Sequence, residues 1–216
     1  MQPQAYIDLR VVPSFNAERP NAMAHDIMAL LIKFSHAIAA KQEFKHAVAF
    51  PQAKVGARPS PGNHARVFAL EKSALEALAD ELEKQRFVRD YVSIGRTKTL
   101  ASDYQAPAHV EYLRFRVPNR KSRLEESRAR RMAESDTLPH LRLNSSSSGH
   151  SFSLFVKPVL HETAVCAEGL PLTFEPDVYG LSVFSRRFAL PVTPDDDWPH
   201  ATRLAHNVKV KPAAMA

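Results

Sequence analysis

Residues 21–42 read NAMAHDIMALLIKFSHAIAAKQ, and their apolar side chains recur at helical spacing. This period predicts an amphipathic helix, with Asn21 as a candidate N-cap residue. Its apolar stripe comprises Met23, Ile27, Leu30, Leu31, Phe34 and Ile38. The opposite side, which carries His36, is also apolar through Ala29, Ile32 and Ala40. Because helices that are apolar on both sides tend to be covered on both sides, we expect one face to pack on a sheet. The other face should meet a second domain across a cleft that contains His36.

Short β-rich segments flank this helix and a second helix. The predicted strands occupy residues 5–12, 45–51, 64–70 and 88–95. The second helix spans residues 73–86, with Ser73 as its cap and Leu75, Leu78 and Leu82 on its buried side. The resulting order is β-α-β-β-α-β, which is that of the ferredoxin-like split βαβ domain. RNA-binding modules and unrelated enzymes both use this order, so it predicts a fold but no function.

The composition changes after Leu100, where a second domain is predicted to begin after a connector. We predict a strand at residues 110–117 and an arginine-rich helix at 119–134. Further short β segments are predicted at residues 138–144, 151–158, 163–169 and 178–192. The predicted class is therefore α+β, an N-terminal ferredoxin-like domain followed by a C-terminal β-rich domain that carries the arginine-rich helix. The domain bounds are 1–97, 98–193 and a polar tail at 194–216.

The composition restricts the kind of protein and its partners. The single cysteine, Cys166, excludes a disulfide within the chain and a Cys-based zinc site. No run of about 18 apolar residues occurs, and the first residues lack the pattern of a secretory signal. We therefore expect a cytoplasmic protein with no membrane partner. The net charge of +6 favours a polyanionic partner.

This positive charge is concentrated in residues 114–131, RFRVPNRKSRLEESRARR. The segment holds eight Arg or Lys and two Glu, so its net charge equals that of the whole chain. On a helical wheel Glu125 and Glu126 fall opposite the cations, which are Arg120, Lys121, Arg123, Arg128, Arg130 and Arg131. One cationic face suits the phosphates that line a nucleic-acid groove. A solvated helix with ordinary surface charge is the alternative.

Two residues of the preceding strand, Arg114 and Arg116, lie two apart and therefore share a face. They extend the same basic surface, whereas Phe115 between them should point into the core.

Two further features could carry chemistry. Four consecutive serines at 145–148 precede Gly149 in LNSSSSGHSFSLFVKP, residues 143–158. Such runs are usually loops, so the alternative to a site is a linker. His36 could act as a general acid or base near neutral pH, and a purely structural histidine is the alternative.

Four segments occur together in a characteristic order: KFSHAIAA at 33–40, the basic segment from 114, NSSSSGHSFSLFV at 144–156 and VYGLS at 178–182. Their order and spacing resemble the CRISPR RNA-processing endoribonucleases of type I-F systems. The resemblance implies a ferredoxin-like domain and a second domain whose arginine-rich helix enters the major groove of a CRISPR repeat hairpin. It also implies cleavage at the 3′ base of that hairpin without a metal or another cofactor. The 2′-hydroxyl attacks the adjacent phosphate and leaves 2′,3′-cyclic phosphate and 5′-hydroxyl ends.

The same resemblance implies the partners of the protein. These are the CRISPR repeat RNA, whose processed crRNA stays bound, and the other subunits of a type I-F surveillance complex.

The resemblance also assigns roles to individual residues. The catalytic residues fall on His36, Ser145 and Tyr179. Ser147 is the nearest competitor for the serine position, and Phe152 stacks beside the scissile site. The remaining RNA contacts fall on Arg114, Arg116, Arg120, Arg123, Arg128, Arg130 and Arg131. Arg116 stands where the family has glutamine, so we expect a different base to be read there.

Other functional classes stay open at this point. A non-catalytic stem-loop binder that caps a ribonucleoprotein would need the same basic helix. A DNA-binding or ribosomal-type module with chance similarity is a further alternative. A Ser–His hydrolase is disfavoured, because the sequence offers neither a third partner nor a GxSxG elbow.

Overall fold

The computed structural model describes residues 3–12, 20–117, 125–145, 149–162 and 174–194. Within these ranges the helices are α1 (Pro20–Lys41), α2 (Lys72–Glu83), α3 (Arg86–Tyr91) and α4 (Glu125–Ser135). The strands are β1 (Ala5–Val11), β2 (His46–Ala49), β3 (His64–Ala69), β4 (Val92–Ile94), β5 (Lys98–Thr99), β6 (Ala108–Phe115), β7 (His140–Asn144), β8 (Ser151–Glu162) and β9 (Leu190–Pro191). They form two antiparallel sheets, which confirms the predicted α+β class.

The first sheet has the strand order β2-β3-β1-β4, and β5 also pairs with β1. Its strand pairs are antiparallel, as the predicted ferredoxin-like order requires. The strand predicted at 88–95 is wrong in its first half, because Arg86–Tyr91 forms α3. Phe87 of α3 packs against Phe34 of α1, with ring centroids 5.2 Å apart. This contact with α1 favours helix over the local β-propensity.

Both predicted helix caps are wrong by two positions. Helix α1 begins at Pro20, which places Asn21 inside the helix. Proline suits a first helical position because its missing N–H would have no helical partner there. The N-cap residue of α2 is Glu71, and Ser73 lies within the helix with its Oγ 3.4 Å from Glu71 Oε2.

One face of the first sheet is covered by helices and buries an apolar core. Leu75, Leu78 and Leu82 of α2 are fully buried there, as predicted. On α1 the buried set includes Met28, Leu31 and Ile32, whereas Leu30 of the predicted stripe is 40% exposed. The stripe is therefore rotated slightly from the predicted one.

The other face of the first sheet is also buried, although it is polar. Register places Tyr6 beside Phe68, and Asp8 beside Arg66, on this face. Arg66 donates to Asp8 at 2.7 Å and to the hydroxyl of Thr193, beyond β9. Burial alone would raise the pKa of Asp8, but hydrogen bonds from His64 and Arg66 hold it well below its usual range. Some RNA-binding modules of this topology stack bases on this face, but here the chain itself covers it.

The second sheet has the strand order β7-β8-β6-β9. Helix α4 is fastened to it by an ion pair of 2.5 Å between Glu134 and Lys157 of β8. Arg131 of α4 also lies over the ring of Phe115, 4.8 Å from its centroid, and Phe115 is buried as predicted.

Helix α1 lies between the two sheets, because it packs against β7 as well as against the first sheet. Buried residues of both sheets form one continuous hydrophobic cluster. This confirms the prediction that α1 is covered on both sides. By length and composition alone Met23–Lys41 could cross a membrane, but burial inside the protein accounts for its apolar character.

The final predicted β region, residues 178–192, is mostly irregular. It contains isolated bridges at Ser182 and at Val183–Arg186, and the strand β9 is only Leu190–Pro191. The predicted strand at 163–169, the start of the arginine-rich helix and residues 195–216 of the polar tail lie outside the described residues.

Candidate active site

Three predicted site residues from distant parts of the chain meet at the junction of the two sheets. The ring of His36, on α1, lies 5.0 Å from the ring of Tyr179. Tyr179 also contacts Phe152 of β8, with ring centroids 6.1 Å apart. All three side chains are partly exposed, so the cluster is accessible from solvent. His36 thus lies beside Tyr179, a residue of the region predicted to form the second domain.

Tyr179 sits in a tight turn that Asp177 organises. One oxygen of the Asp177 carboxylate accepts the backbone N–H groups of Tyr179 at 2.9 Å and of Leu181 at 3.0 Å. The backbone N–H of Gly180 donates to the Asp177 carbonyl at 2.9 Å. Aspartate favours such turns because its short side chain reaches backbone donors two residues on. Asp177 was missed from the sequence, although an Asp two residues before the predicted tyrosine is a recognisable turn signal.

Gly180 docks this turn onto β2 of the first sheet. Its carbonyl accepts the backbone N–H of Val48 at 2.8 Å, and its φ is +78°. A Cβ at this position would lie 2.8 Å from Val48 Cγ2 and 2.9 Å from the Val48 backbone nitrogen. Glycine is therefore required both by the conformation and by the close approach. This contact holds Tyr179 beside His36.

The far side of the turn is held by a buried carboxylate. Ser182 pairs with β6 through the Tyr112 carbonyl at 2.9 Å, and its hydroxyl donates to Glu111 at 2.6 Å. Arg187 also donates to Glu111, at 2.5 and 3.0 Å. Burial would raise the pKa of Glu111, but hydrogen bonds from His161, Arg187 and Ser182 outweigh it and lower the pKa to about 2. Glu111 therefore stays ionised and anchors the turn to the second sheet.

Arg114 places a positive charge at the cluster. Its guanidinium lies over the face of Tyr179, 5.1 Å from the ring centroid, and Nη1 donates to Asp177 at 2.8 Å. Arg116 lies just beyond the end of β6 and is exposed. The two arginines predicted to share one surface thus differ, because only Arg114 belongs to the cluster.

Ser145 closes the hairpin between β7 and β8. Its N–H donates to the His150 carbonyl at 2.9 Å, and its carbonyl accepts from Gly149 at 3.0 Å. Near the start of β7, the His140 ring contacts His25 of α1, with centroids 6.3 Å apart. Leu143, two residues before Ser145, pairs with Phe152 across the hairpin, and Phe152 contacts Tyr179, which lies beside His36. Ser145 therefore lies on the same part of the hairpin as Phe152. Ser147 lies outside the described residues.

A family model described as CRISPR-associated protein (Cas_Csy4) matches residues 6–191, which include His36, Phe152 and Tyr179. The chain belongs to this family. The match runs from β1 to β9 and so covers both sheets. No curated protein matched the chain. Membership identifies a CRISPR endoribonuclease that binds CRISPR repeat RNA, which confirms the resemblance found in the four segments and excludes chance similarity.

In this Csy4-family protein the arginines of helix α4 do not all lie on the one solvent-facing side that the helical wheel predicted. Arg128 and Arg131 are half-buried on the side of α4 that faces the second sheet, whereas Arg130 is exposed on the side of Glu125 and Glu126. The cations therefore occupy the groove between helix and sheet as well as the outer surface. Arg120 and Arg123 lie outside the described residues. Among the described residues, no three His, Cys, Asp or Glu side chains converge as metal ligands would.

A second histidine, His46, lies near the cluster of His36, Tyr179 and Phe152 in this Csy4-family chain. It begins β2, is only 5% exposed, and interacts electrostatically with His36 and Asp177. Burial, reinforced by His36, lowers the pKa of His46 to about 4, although Asp177 acts in the opposite direction. Its Nε2 is buried with no hydrogen-bond partner among the described residues. His46 is therefore neutral at physiological pH.

His46 should make the stability of the protein depend on pH. In the unfolded chain its pKa is 6.5, whereas the folded value is about 4. Between these two pKa values the unfolded state binds more protons than the folded state does. The stabilising contribution of neutral His46 is therefore fully present above pH 6.5 and is lost as the pH is lowered. We expect His46 to reduce the free energy of unfolding by about 2 to 3 kcal/mol between pH 7 and pH 4.5. Urea unfolding at the two pH values measures this.

The His46→Leu variant should lose that part of the pH dependence. His25 and His109, whose pKa values burial also lowers, act in the same direction and remain in both proteins. If the free energy of unfolding of the variant still falls by the wild-type amount between pH 7 and pH 4.5, His46 is not the cause of the pH dependence.

Proposed function

We propose that the protein cleaves a CRISPR repeat hairpin at its 3′ base without a metal, by attack of the 2′-hydroxyl on the neighbouring phosphate. The products are a 2′,3′-cyclic phosphate and a 5′-hydroxyl. The processed crRNA then stays bound, and the protein serves as a subunit of a cytoplasmic type I-F surveillance complex. The observation that carries this proposal is the meeting of His36, Tyr179 and Phe152 under the positive charge of Arg114, in a chain of the Csy4 family.

The chemistry requires few protein groups because RNA supplies its own nucleophile. A bond forms between the 2′-oxygen and phosphorus, and the bond from phosphorus to the 5′-oxygen breaks. One proton leaves the 2′-hydroxyl and one must reach the departing 5′-oxygen. His36 is the group that can move a proton near neutral pH, which is typically worth about 10²–10⁴ in rate.

The other residues position the RNA and stabilise its charge. In this proposal the Ser145 hydroxyl holds the 2′-hydroxyl in line, as its place near Phe152 on the hairpin between β7 and β8 would allow. Tyr179 completes the active site beside His36, and Phe152 stacks beside the scissile site. Arg114 lies close enough to Tyr179 to offset negative charge that develops on the phosphate.

The stem would lie along the basic surface. Arg128, Arg130 and Arg131, with Arg120 and Arg123, would contact phosphates that line the groove. The Arg131 side chain is held over Phe115 and is therefore fixed relative to the second sheet. Phosphate contacts of this kind supply affinity and orientation, while Arg114 and Arg116 read bases near the foot of the stem.

Cleavage of the repeat RNA encoded beside the gene, in buffer containing EDTA, tests the proposal. We expect one cut at the 3′ base of the hairpin and a 2′,3′-cyclic phosphate on the upstream fragment, detected by mass spectrometry. Replacing the single 2′-hydroxyl at the cut site by hydrogen should abolish cleavage without weakening binding.

Two results would contradict this chemistry. Cleavage of the 2′-deoxy substrate would show that the nucleophile is not the 2′-hydroxyl, and a requirement for added Mg²⁺ would show a metal-dependent mechanism. Binding of both RNAs without any cleavage would instead support the alternative function, a non-catalytic stem-loop subunit of a ribonucleoprotein.

A further inference from the structure

Phe184 is the most exposed large apolar side chain among the described residues, at 74%. It lies at the tip of a two-residue turn between Val183 and Arg186. The N–H of Arg186 donates to the Val183 carbonyl at 2.9 Å, and the reverse bond measures 3.2 Å. The turn thus presents an aromatic ring to solvent. Single exposed apolar side chains are common on protein surfaces, so exposure alone does not indicate a function for Phe184. The way the ring is supported and the charges beside it do indicate one.

Both ends of this turn are fixed to the same buried carboxylate. Ser182 precedes the turn and Arg187 follows it, and both donate to Glu111. The Ser182 hydroxyl also accepts the backbone N–H of Phe188 at 3.3 Å. The turn is therefore anchored at its base. Phe184 is presented by a rigid support and not by a long loop.

The surroundings of Phe184 are cationic. Ser182 bridges Leu113 in parallel, so the following residues run beside β6 toward its end at Phe115 and the exposed Arg116. Arg186, in the same turn, is also exposed. Glu111 and Asp177, the carboxylates that hold this region, are buried and paired with Arg187 and Arg114. The exposed charges of the turn itself and of the end of β6, on Arg186 and Arg116, are both positive.

We propose that Phe184 is a stacking platform for an unpaired nucleotide that flanks the repeat hairpin, with Arg186 beside the phosphate of that nucleotide. The inference rests on the proposed hairpin binding and extends it to the single-stranded flank. An aromatic face within a positively charged surface is the combination that binds single-stranded RNA. Phe152 cannot fill this role as well, because it is half-buried against Tyr179 inside the cluster.

Phenylalanine and arginine are both common at protein interfaces, so Phe184 and Arg186 alone would fit either a protein or an RNA. Membership of a family that binds CRISPR repeat RNA favours RNA as the partner of this ring. A nucleotide uses both groups, since its base stacks on the ring and its phosphate pairs with the guanidinium.

The test compares two RNAs, each carrying a 2′-deoxy residue at the cut site so that binding can be measured at equilibrium. One is the hairpin with its unpaired flanks, and the other is the blunt hairpin. The proteins are wild type, Phe184→Ala, Phe184→Trp and Val12→Ala. Val12 is a matched control because it is an apolar residue of the first sheet region that is 51% exposed.

We expect Phe184→Ala to raise the Kd for the flanked RNA by about 5- to 150-fold, the range for loss of one base stack. The Kd for the blunt hairpin should not change. Phe184→Trp should restore binding of the flanked RNA, and Val12→Ala should bind both RNAs like wild type. Equal thermal unfolding temperatures would show that the variants are folded.

Unchanged affinity of Phe184→Ala for the flanked RNA would overturn the inference and is the result expected of a ring that contacts a protein subunit. Equal losses for both RNAs would also overturn it. If wild type and Phe184→Ala bind the flanked hairpin with the same Kd, only this inference fails and the proposed function stands. If wild type binds neither RNA, the proposed function fails first and this inference falls with it.

Discussion

Replacing His36 by alanine is expected to lower the single-turnover cleavage rate by about 10²–10⁴-fold, because it removes the histidine proposed to move the proton and, among the described residues of the cluster, Tyr179, Phe152 and Arg114 are poor substitutes for it. The Kd for the repeat hairpin should stay within about threefold of the wild-type value, since the proposed phosphate contacts are made by arginines outside this cluster. A quench experiment under excess enzyme separates the cleavage step from binding and product release. Added imidazole should restore part of the rate in the variant, because it can occupy the space left by the ring.

His25→Ala is the matched control for this experiment. His25 lies on the same helix and contacts His140, away from the Tyr179 ring. It should cleave at a rate close to that of wild type. If His25→Ala were as slow as His36→Ala, the effect would come from disturbance of α1 and not from lost proton transfer. A His36→Ala protein that cleaved at the normal rate would remove His36 from the mechanism.

Gly180→Ala should disable the site from a position that has no reactive side chain. The new methyl group would meet the Val48 backbone nitrogen at 2.9 Å, so the turn must move away from β2 and carry Tyr179 with it. A displacement of about 1 Å at a catalytic group can cost on the order of 10²-fold in rate. We also expect a loss of about 2 kcal/mol or more in the free energy of unfolding, because the left-handed backbone conformation and the clash both oppose alanine.

Gly149→Ala separates the cost of the left-handed backbone conformation from the cost of the clash with Val48. Gly149 also has a positive φ, +68°, but a Cβ there would meet no atom within 4 Å. This variant should therefore show only the conformational cost, about 1 kcal/mol. Urea unfolding of both variants tests the difference in stability, and single-turnover cleavage by Gly180→Ala tests the effect on the site. Equal effects on stability in the two variants would mean that the approach to Val48 is not what constrains the turn.

Residue 180 also shows how far the sequence could predict the site. The motif VYGLS was recognised as a unit, but it was expected to form part of a strand. The residues that shape it into a turn are Asp177 and Glu111, and Glu111 lies on a strand about 70 residues earlier. A carboxylate inside a strand is normally expected to be exposed, so nothing local distinguishes Glu111. Its burial is possible only because Ser182, Arg187 and His161 reach it.

The limits of the helix predictions have a similar cause. The period of α1 was recognised, and so was the apolar back face that carries His36. The first half of residues 88–95 was assigned to a strand because Val88 and Tyr91 favour strands, whereas the contact of Phe87 with Phe34 makes it helical. The basic segment was recognised from its charge. Arg128 and Arg131 face the second sheet because α4 contacts Phe115 and β8. A helical wheel contains no information about such tertiary contacts.

The sequence by itself determined the α+β class, the βαββαβ order of the first domain and the family to which the chain belongs. Each of these depends on residue types at short or regular spacing, which local conformational preference and hydrophobic periodicity make readable. The tertiary structure alone decided that His36, Tyr179, Phe152 and Arg114 meet at one cluster and that Asp177, Glu111 and His46 support it. These contacts join residues far apart in the chain. They exist because burial of both sheets around α1 makes the free energy of folding favourable enough to hold ionised and polar groups where single segments could not.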